Sequence, residues 1–218
     1  MSLPLTSKNK KFTVPKTGHQ YAYVHHTPSD PSRSTILLLH GFPSTSHDWQ
    51  YQIPFLTSLG YGVIAPDLLG YGDSSKPLDV EPYIGPSMAA DIISVLDHEN
   101  ISSVVGIGHD WGTYLLTHLI LWYPERVKGS VFVSVAFHVP GREMNVEVLN
   151  EMTKRIVGYE ALGYWLFFIA RDAGKVIGRN VSITLFSCRF LLRISTNPAL
   201  GGRWPFAKKS EMCHPTTR

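Results

Sequence analysis

Val104-Val105-Gly106-Ile107-Gly108-His109-Asp110-Trp111-Gly112 runs from a short apolar stretch straight into a glycine-flanked turn, and the apolar segment 114–122 follows at once. The first residues read as a buried strand, and 114–122, apolar nearly all round, as a helix packed deep behind a sheet. Between them lies the small-x-nucleophile-x-small pattern of a sharp strand-to-helix turn. Glycines flank its centre because the strained turn leaves no room there for side chains. The central residue is an aspartate. A carboxylate can attack carbon without a base first removing a proton, and the product is an ester that water must later break. The same pentapeptide also reads as an ordinary turn in which Asp110 caps the following helix, and taken alone it does not choose between the two.

Working outward, Thr35-Ile36-Leu37-Leu38-Leu39-His40 is a second continuous apolar run, ending in Gly41-Phe42-Pro43. Such a run suits a buried strand, and a backbone N–H just after it can face the same place as Asp110. Where a turn of this kind carries a nucleophile, the oxyanion donors are the N–H after the nucleophile and one from such an earlier loop. Here these are the Trp111 and Phe42 N–H groups. Two motifs, each directly behind a strand, favour a nucleophilic Asp110 over a capping one.

The rest of the pattern alternates. Segments 11–14 and 20–25 read as a strand pair, 63–65 as a strand stopped by Pro66-Asp67 and the loop Gly70-Tyr71-Gly72, and 129–136 as a final β-branched strand. Trp49, Ile53 and Leu56 recur at helical spacing, and Ser87 stands as an N-cap before Met88, Ile92, Val95 and Leu96. Strands alternating with helices predict an α/β fold with a mostly parallel sheet. From Pro140 onward the periodicity is helical, with Met144, Val148 and Met152 four apart.

The chain has 218 residues, 44% hydrophobic and 17% charged, enough for one sizeable core and short for two. No apolar stretch reaches the roughly 18–20 residues that a membrane-spanning helix needs. The opening MSLPLTSKNKKF lacks the apolar segment of a secretory leader, so the expected compartment is the cytoplasm. The net charge of +3 is unevenly spread. Residues 1–178 carry 13 Lys/Arg against 16 Asp/Glu, whereas residues 179–218 carry 7 against 1 and hold both cysteines, Cys188 and Cys213. No groove-reading motif or basic helical stripe accompanies that basic segment, so no nucleic-acid partner is expected. Two cysteines make neither a disulfide framework nor a zinc site.

Together, five stretches resemble the α/β-hydrolases of the soluble epoxide hydrolase type, over roughly residues 10–178. They are His40-Gly41-Phe42-Pro43, Trp49 with Gln52, Gly70-Tyr71-Gly72-Asp73-Ser74-Ser75-Lys76-Pro77, Gly108-His109-Asp110-Trp111-Gly112 and Tyr123-Pro124-Glu125-Arg126-Val127. The resemblance implies an α/β-hydrolase fold with helices on both faces of the sheet and a helical cap. It implies that Asp110 attacks an epoxide carbon and that the two oxyanion donors stabilise hydrolysis of the resulting ester. It implies a small apolar epoxide as substrate, with no cofactor and no metal. Cap tyrosines of that family hydrogen-bond the epoxide oxygen. Gly163-Tyr164-Trp165-Leu166-Phe167-Phe168 resembles the first such segment, which makes Tyr164 the candidate and Tyr159 the fallback. His40, Pro43, His109 and Trp165 are expected at the pocket, although core packing explains such side chains equally well. The expected organisation is a hydrolase core over residues 1–138, a partial helical cap over 139–178 and an atypical basic, irregular segment over 179–218.

The family also uses a late histidine as base, oriented by an acid. After Asp110 the histidines are His118 in the helix behind the turn, His138 at the entry to the cap, and His214 near Glu211 in the basic segment. None stands in the strand-end setting that the base requires, and the two further strand–helix units expected after the cap are not visible. The resemblance stops at Arg179, where charge and cysteine content change. The expectation is a shortened chain, its last 40 residues derived from an altered reading frame or a retained intron, with ester hydrolysis impaired. Within the same fold the alternative is a haloalkane dehalogenase, a family that places a halide-binding asparagine where this chain has Phe42. The other alternative is a non-catalytic binding protein that uses the same pocket.

Overall fold

The computed structural model describes residues 10–137, 145–170 and 173, and the chain divides into two units, Met1–Pro140 and Gly141–Arg218. In the first unit six strands form one sheet: β1 (Lys10–Thr13), β2 (Gln20–His26), β3 (Thr35–Leu39), β4 (Gly62–Pro66), β5 (Val104–His109) and β6 (Val127–Val133). They lie in the order β1-β2-β4-β3-β5-β6. The pairs β1–β2 and β2–β4 are antiparallel, and β4, β3, β5 and β6 run parallel. This is the mostly parallel α/β sheet that the alternating pattern predicts. Its helices are α1 (Gln52–Ser58), α2 (Gly85–His98) and α3 (Trp111–Trp122).

Strands β3 and β4 are buried at every residue, as parallel strands covered on both faces must be. The period of two splits the run in β3 between the faces. Leu37 and Leu39 join Tyr21, Tyr23 and Ile64 under α2 and α3, while Ile36 and Leu38 join Val24, Val63 and Ala65 beneath Trp49 and Ile53. In β5 the residues facing α3 are Val104, Gly106 and Gly108, all buried. A Cβ on Gly106 would enter the Leu116 side chain, and one on Gly108 would stand 2.7 Å from the Gly112 carbonyl oxygen. These glycines let α3 lie directly against the strand that feeds it.

Three local expectations are corrected. The spacing of Trp49, Ile53 and Leu56 does not make one helix. A 3-10 turn over Ser46–Trp49, capped by the Thr45 side chain, is followed by α1. Ser87 is not an N-cap: α2 already begins at Gly85, with Pro86 in its first turn, where a missing N–H costs no helical hydrogen bond. Strand β6 covers Val127–Val133, not 129–136. Pairing of Val127 with Val104 draws its start forward, and Ser134 at φ 72° breaks the extended backbone.

In the second unit, α4 (Val146–Val157) carries Val148 and Met152. It is capped by the Asn145 side chain, which accepts the Glu147 and Val148 N–H groups, and it ends at Gly158 with φ 88°. The turn that leads to α5 (Gly163–Phe168) is tied back to α4 by side chains. Asn150 Oδ1 accepts the Leu162 N–H at 2.7 Å, and Thr153 Oγ1 accepts the Ala161 N–H at 3.1 Å. The expectations placed on His138, Met144, Cys188, Cys213, His214 and residues 179–218 lie outside the described residues. Among the described residues, no helix is long and apolar enough to cross a membrane.

Candidate active site

The chain leaves β3 for β4 on one side and later returns to β5 on the other. Where parallel strands diverge in this way, the loops at their carboxyl ends part and leave a crevice in which ligands bind. The loop after β3 begins with His40-Gly41-Phe42-Pro43, and β5 ends at His109, one residue before Asp110.

Asp110 has φ 51° and ψ −121°, a conformation that costs a residue with a Cβ about 1–3 kcal/mol. Its main chain is fastened on both sides. The N–H donates to the Val133 carbonyl at 3.2 Å, and the carbonyl accepts the Thr113 N–H at 2.9 Å and the Thr113 hydroxyl at 2.6 Å. Any side chain at Gly112 would collide with the main chain of Leu39. Asp110 holds the N-cap position of α3, yet its side chain makes no capping hydrogen bond. Instead Oδ1 accepts the Phe42 N–H at 2.9 Å. This separates the two meanings of the pentapeptide: the carboxylate is aimed at the loop after β3, not at its own helix. Oδ2 accepts no hydrogen bond from the described residues. A Cβ on Gly41 would stand 2.8 Å from the His109 carbonyl oxygen and run into the Asp110 side chain, so the carboxylate can lie over this loop because residue 41 is glycine.

His40 is wholly buried. Its Nε2 accepts the Leu68 N–H at 2.9 Å, and its Nδ1 lies 2.9 Å from the Gly41 carbonyl oxygen. A backbone N–H can only donate, so Nε2 is unprotonated and Nδ1–H donates to Gly41. Burial holds the imidazole pKa below its ordinary value, consistent with a neutral ring. Tyr71 stands edge-on to it at 5.1 Å. Burial and then the Asp110 charge push the Tyr71 phenol up to about 12, so it stays protonated at neutral pH.

His40, Phe42, Pro43, His109, Asp110 and Trp111 thus gather at the ends of β3 and β5. His109 is half-buried and Pro43 exposed. Trp111 opens α3, where first-turn amides point out of the helix, and its ring is edge-on to Tyr114 at 5.8 Å. Tyr164 and Trp165 lie on α5 in the second unit, edge-on to each other at 6.3 Å. The sequence reading missed Asp67, a buried carboxylate at the end of β4. Its Oδ1 accepts the Ser46 N–H at 2.9 Å and its Oδ2 the Asp73 N–H at 3.0 Å, which fastens two neighbouring loops. The available signal was Gly72, where any side chain would enter that carboxylate.

A family model described as the alpha/beta hydrolase fold matches residues 34–191. The chain is 38% identical over 160 residues to the epoxide hydrolase srdG of Neurospora crassa, covering 71% of this chain and 45% of that one. It is 34% identical over 151 residues to an epoxide hydrolase of Caballeronia sordidicola, covering 69% and 45%. Among solved structures, epoxide hydrolase A from Mycobacterium thermoresistibile superposes with a TM-score of 0.60 at 30% identity, covering 78% of this chain and 52% of that one. The chain therefore spans less than half the length of the curated relatives it matches.

Proposed function

Because the chain belongs to the α/β-hydrolase fold family, we propose that it opens epoxides through a covalent ester at Asp110. The supporting observation is the Phe42 N–H on Oδ1 of a carboxylate that does not cap its own helix. With Oδ1 so held, Oδ2 is the oxygen left to attack an epoxide carbon. The ring carbon–oxygen bond breaks, its electron pair passes to the ring oxygen, and the Tyr164 hydroxyl supplies the proton. In the ester, Oδ1 is the carbonyl oxygen, and negative charge gathers on it when water adds to Cγ. The N–H that Oδ1 already accepts is suited to that charge, with the Trp111 N–H as second donor. Pro43, His109 and the Phe42 ring are the proposed pocket residues of the first unit, and Trp165 that of the second. In this proposal residues 139–178 are the cap segment to which Tyr164 belongs, and residues 1–138 the hydrolase core.

Ester hydrolysis is slow in this proposal. His118, the histidine that follows Asp110 among the described residues, lies over Gly85 and edge-on to Tyr114 at 4.6 Å, a packing role. Alkylated protein therefore accumulates. Incubation with an aryl epoxide, followed by intact-mass and peptide mass spectrometry, is expected to show one adduct on the Asp110 peptide and none in D110N. Reversible binding without an adduct would support the binding-protein alternative. Halide release from a chloroalkane without epoxide labelling would support a dehalogenase. Multiple turnovers with no retained adduct would show that a base completes the cycle.

A further inference from the structure

We propose that His40 is a positioning residue for the oxyanion donor: its ring holds and polarises the peptide group whose N–H donates to Asp110 Oδ1. The Gly41 carbonyl and the Phe42 N–H are opposite ends of a single planar unit. The His40 Nδ1–H donates to that carbonyl at 2.9 Å, and the same unit's N–H donates to Asp110 Oδ1 at 2.9 Å. A donor at the oxygen draws electrons through the conjugated peptide and strengthens the N–H as a donor, by roughly 10–30% per bond. It also stops the peptide from rotating the N–H away from the carboxylate.

The ring can do this only with its proton on Nδ1, and the fold enforces that tautomer. Leu68 donates its N–H to Nε2 at 2.9 Å. Leu68 is itself anchored, because its carbonyl accepts the Tyr71 N–H at 2.9 Å, while the Tyr71 ring stands edge-on to the imidazole at 5.1 Å. Contacts therefore run from the loop of residues 70–72 through Leu68 and His40 to the peptide that touches Asp110. In reach, an asparagine replaces the Nδ1–H donor without the Nε2 acceptor, and a glutamine replaces the acceptor toward Leu68 without the donor.

The inference rests on the proposed Asp110 ester, so its test has one arm that needs the ester and one that does not. The first arm measures how fast hydroxylamine releases the epoxide adduct from folded protein, since attack at Cγ places charge on Oδ1. H40Q is expected to slow release about 10- to 30-fold, less than the roughly 100-fold or more for deleting an oxyanion donor outright. H40N is expected to recover most of the rate, and in denaturant all three proteins should release alike. The second arm uses no epoxide: the Phe42 amide proton resonance should move upfield in H40Q and stay near its wild-type position in H40N. If His40 only packs, both variants lose stability together, and neither the release rate nor the Phe42 resonance separates them; that result overturns the proposal. If wild type never forms the adduct, the ester mechanism fails and the Phe42 resonance still decides the role of His40. Should neither His40 variant fold, Y71L removes the ring beside the imidazole without touching its hydrogen bonds. Because those hydrogen bonds remain, the ring-nitrogen chemical shifts of His40 in folded Y71L and in wild type decide the matter: a proton on Nε2 instead of Nδ1 would overturn the proposal.

Discussion

Replacing Asp110 by glycine and by alanine gives a stability difference opposite in sign to the usual one. Both substitutions remove the carboxylate and with it the bond from the Phe42 N–H, so that loss cancels when the two variants are compared. What differs is the Cβ. At φ 51° and ψ −121° alanine retains a strain of about 1–3 kcal/mol, and glycine does not. Against this, glycine loses more backbone freedom on folding, a cost of about 0.5–1 kcal/mol relative to alanine. The balance leaves D110G more stable than D110A by roughly 1 kcal/mol, within a range of about 0–2.5 kcal/mol. At an unstrained position alanine would be the more stable by about 0.5–1 kcal/mol. Urea unfolding of both variants, read as midpoint shifts at constant slope, measures the difference. D110A more stable than D110G by about 0.5 kcal/mol or more would mean that the turn is not strained at its centre.

Two further predictions follow from packing and charge. In G112A the new methyl meets the main chain of Leu39, which cannot swing aside, whereas in G129A the nearest atoms are Val105 methyls at 3.8 Å. Urea titration should show a loss of about 3 kcal/mol for the former and a change within about 0.5 kcal/mol for the latter. At the end of α2, Glu99 meets three side chains of the β1–β2 hairpin, Lys10 Nζ at 2.7 Å, the Tyr23 hydroxyl at 2.6 Å and His25 Nδ1 at 2.8 Å. Burial works against its charge, but the hydrogen bonds from Lys10 and Tyr23 and the His25 charge outweigh it and hold its pKa below the ordinary carboxylate value. A lowered folded-state pKa gives stability that is present above the unfolded value and lost as pH falls through the folded one. Melting temperatures between about pH 3 and pH 7 should therefore fall steeply on the acid side in wild type. E99Q should start lower at neutral pH and fall less steeply; an unchanged acid slope would remove Glu99 from the account.

The elements that local chemistry specifies were legible. The apolar runs of β3 and β5 and the glycines around Asp110 are contiguous in sequence, so an alternating polarity and a tight turn reveal them without knowledge of the rest of the fold. The boundaries that failed depend on partners. Strand β6 starts where Val127 finds Val104 and stops where Ser134 turns to positive φ, and no residue preference inside 127–136 encodes either event. Ser87 has the chemistry of a cap, but α2 begins two residues before it, with a proline in its first turn.

By itself the sequence determined an α/β chain with a carboxylate at a strained strand-to-helix turn and a backbone donor loop behind another strand. Only the tertiary structure decided that these two loops meet. Placing β3 between β4 and β5 brings together residues 68 apart and turns the Asp110 side chain from helix cap to partner of Phe42. It also decided the proton position on His40, which depends on Leu68 arriving from the end of β4. Hydrogen bonds of this kind join groups whose proximity comes from strand pairing across the sheet, and a one-dimensional pattern records the strands but not their order.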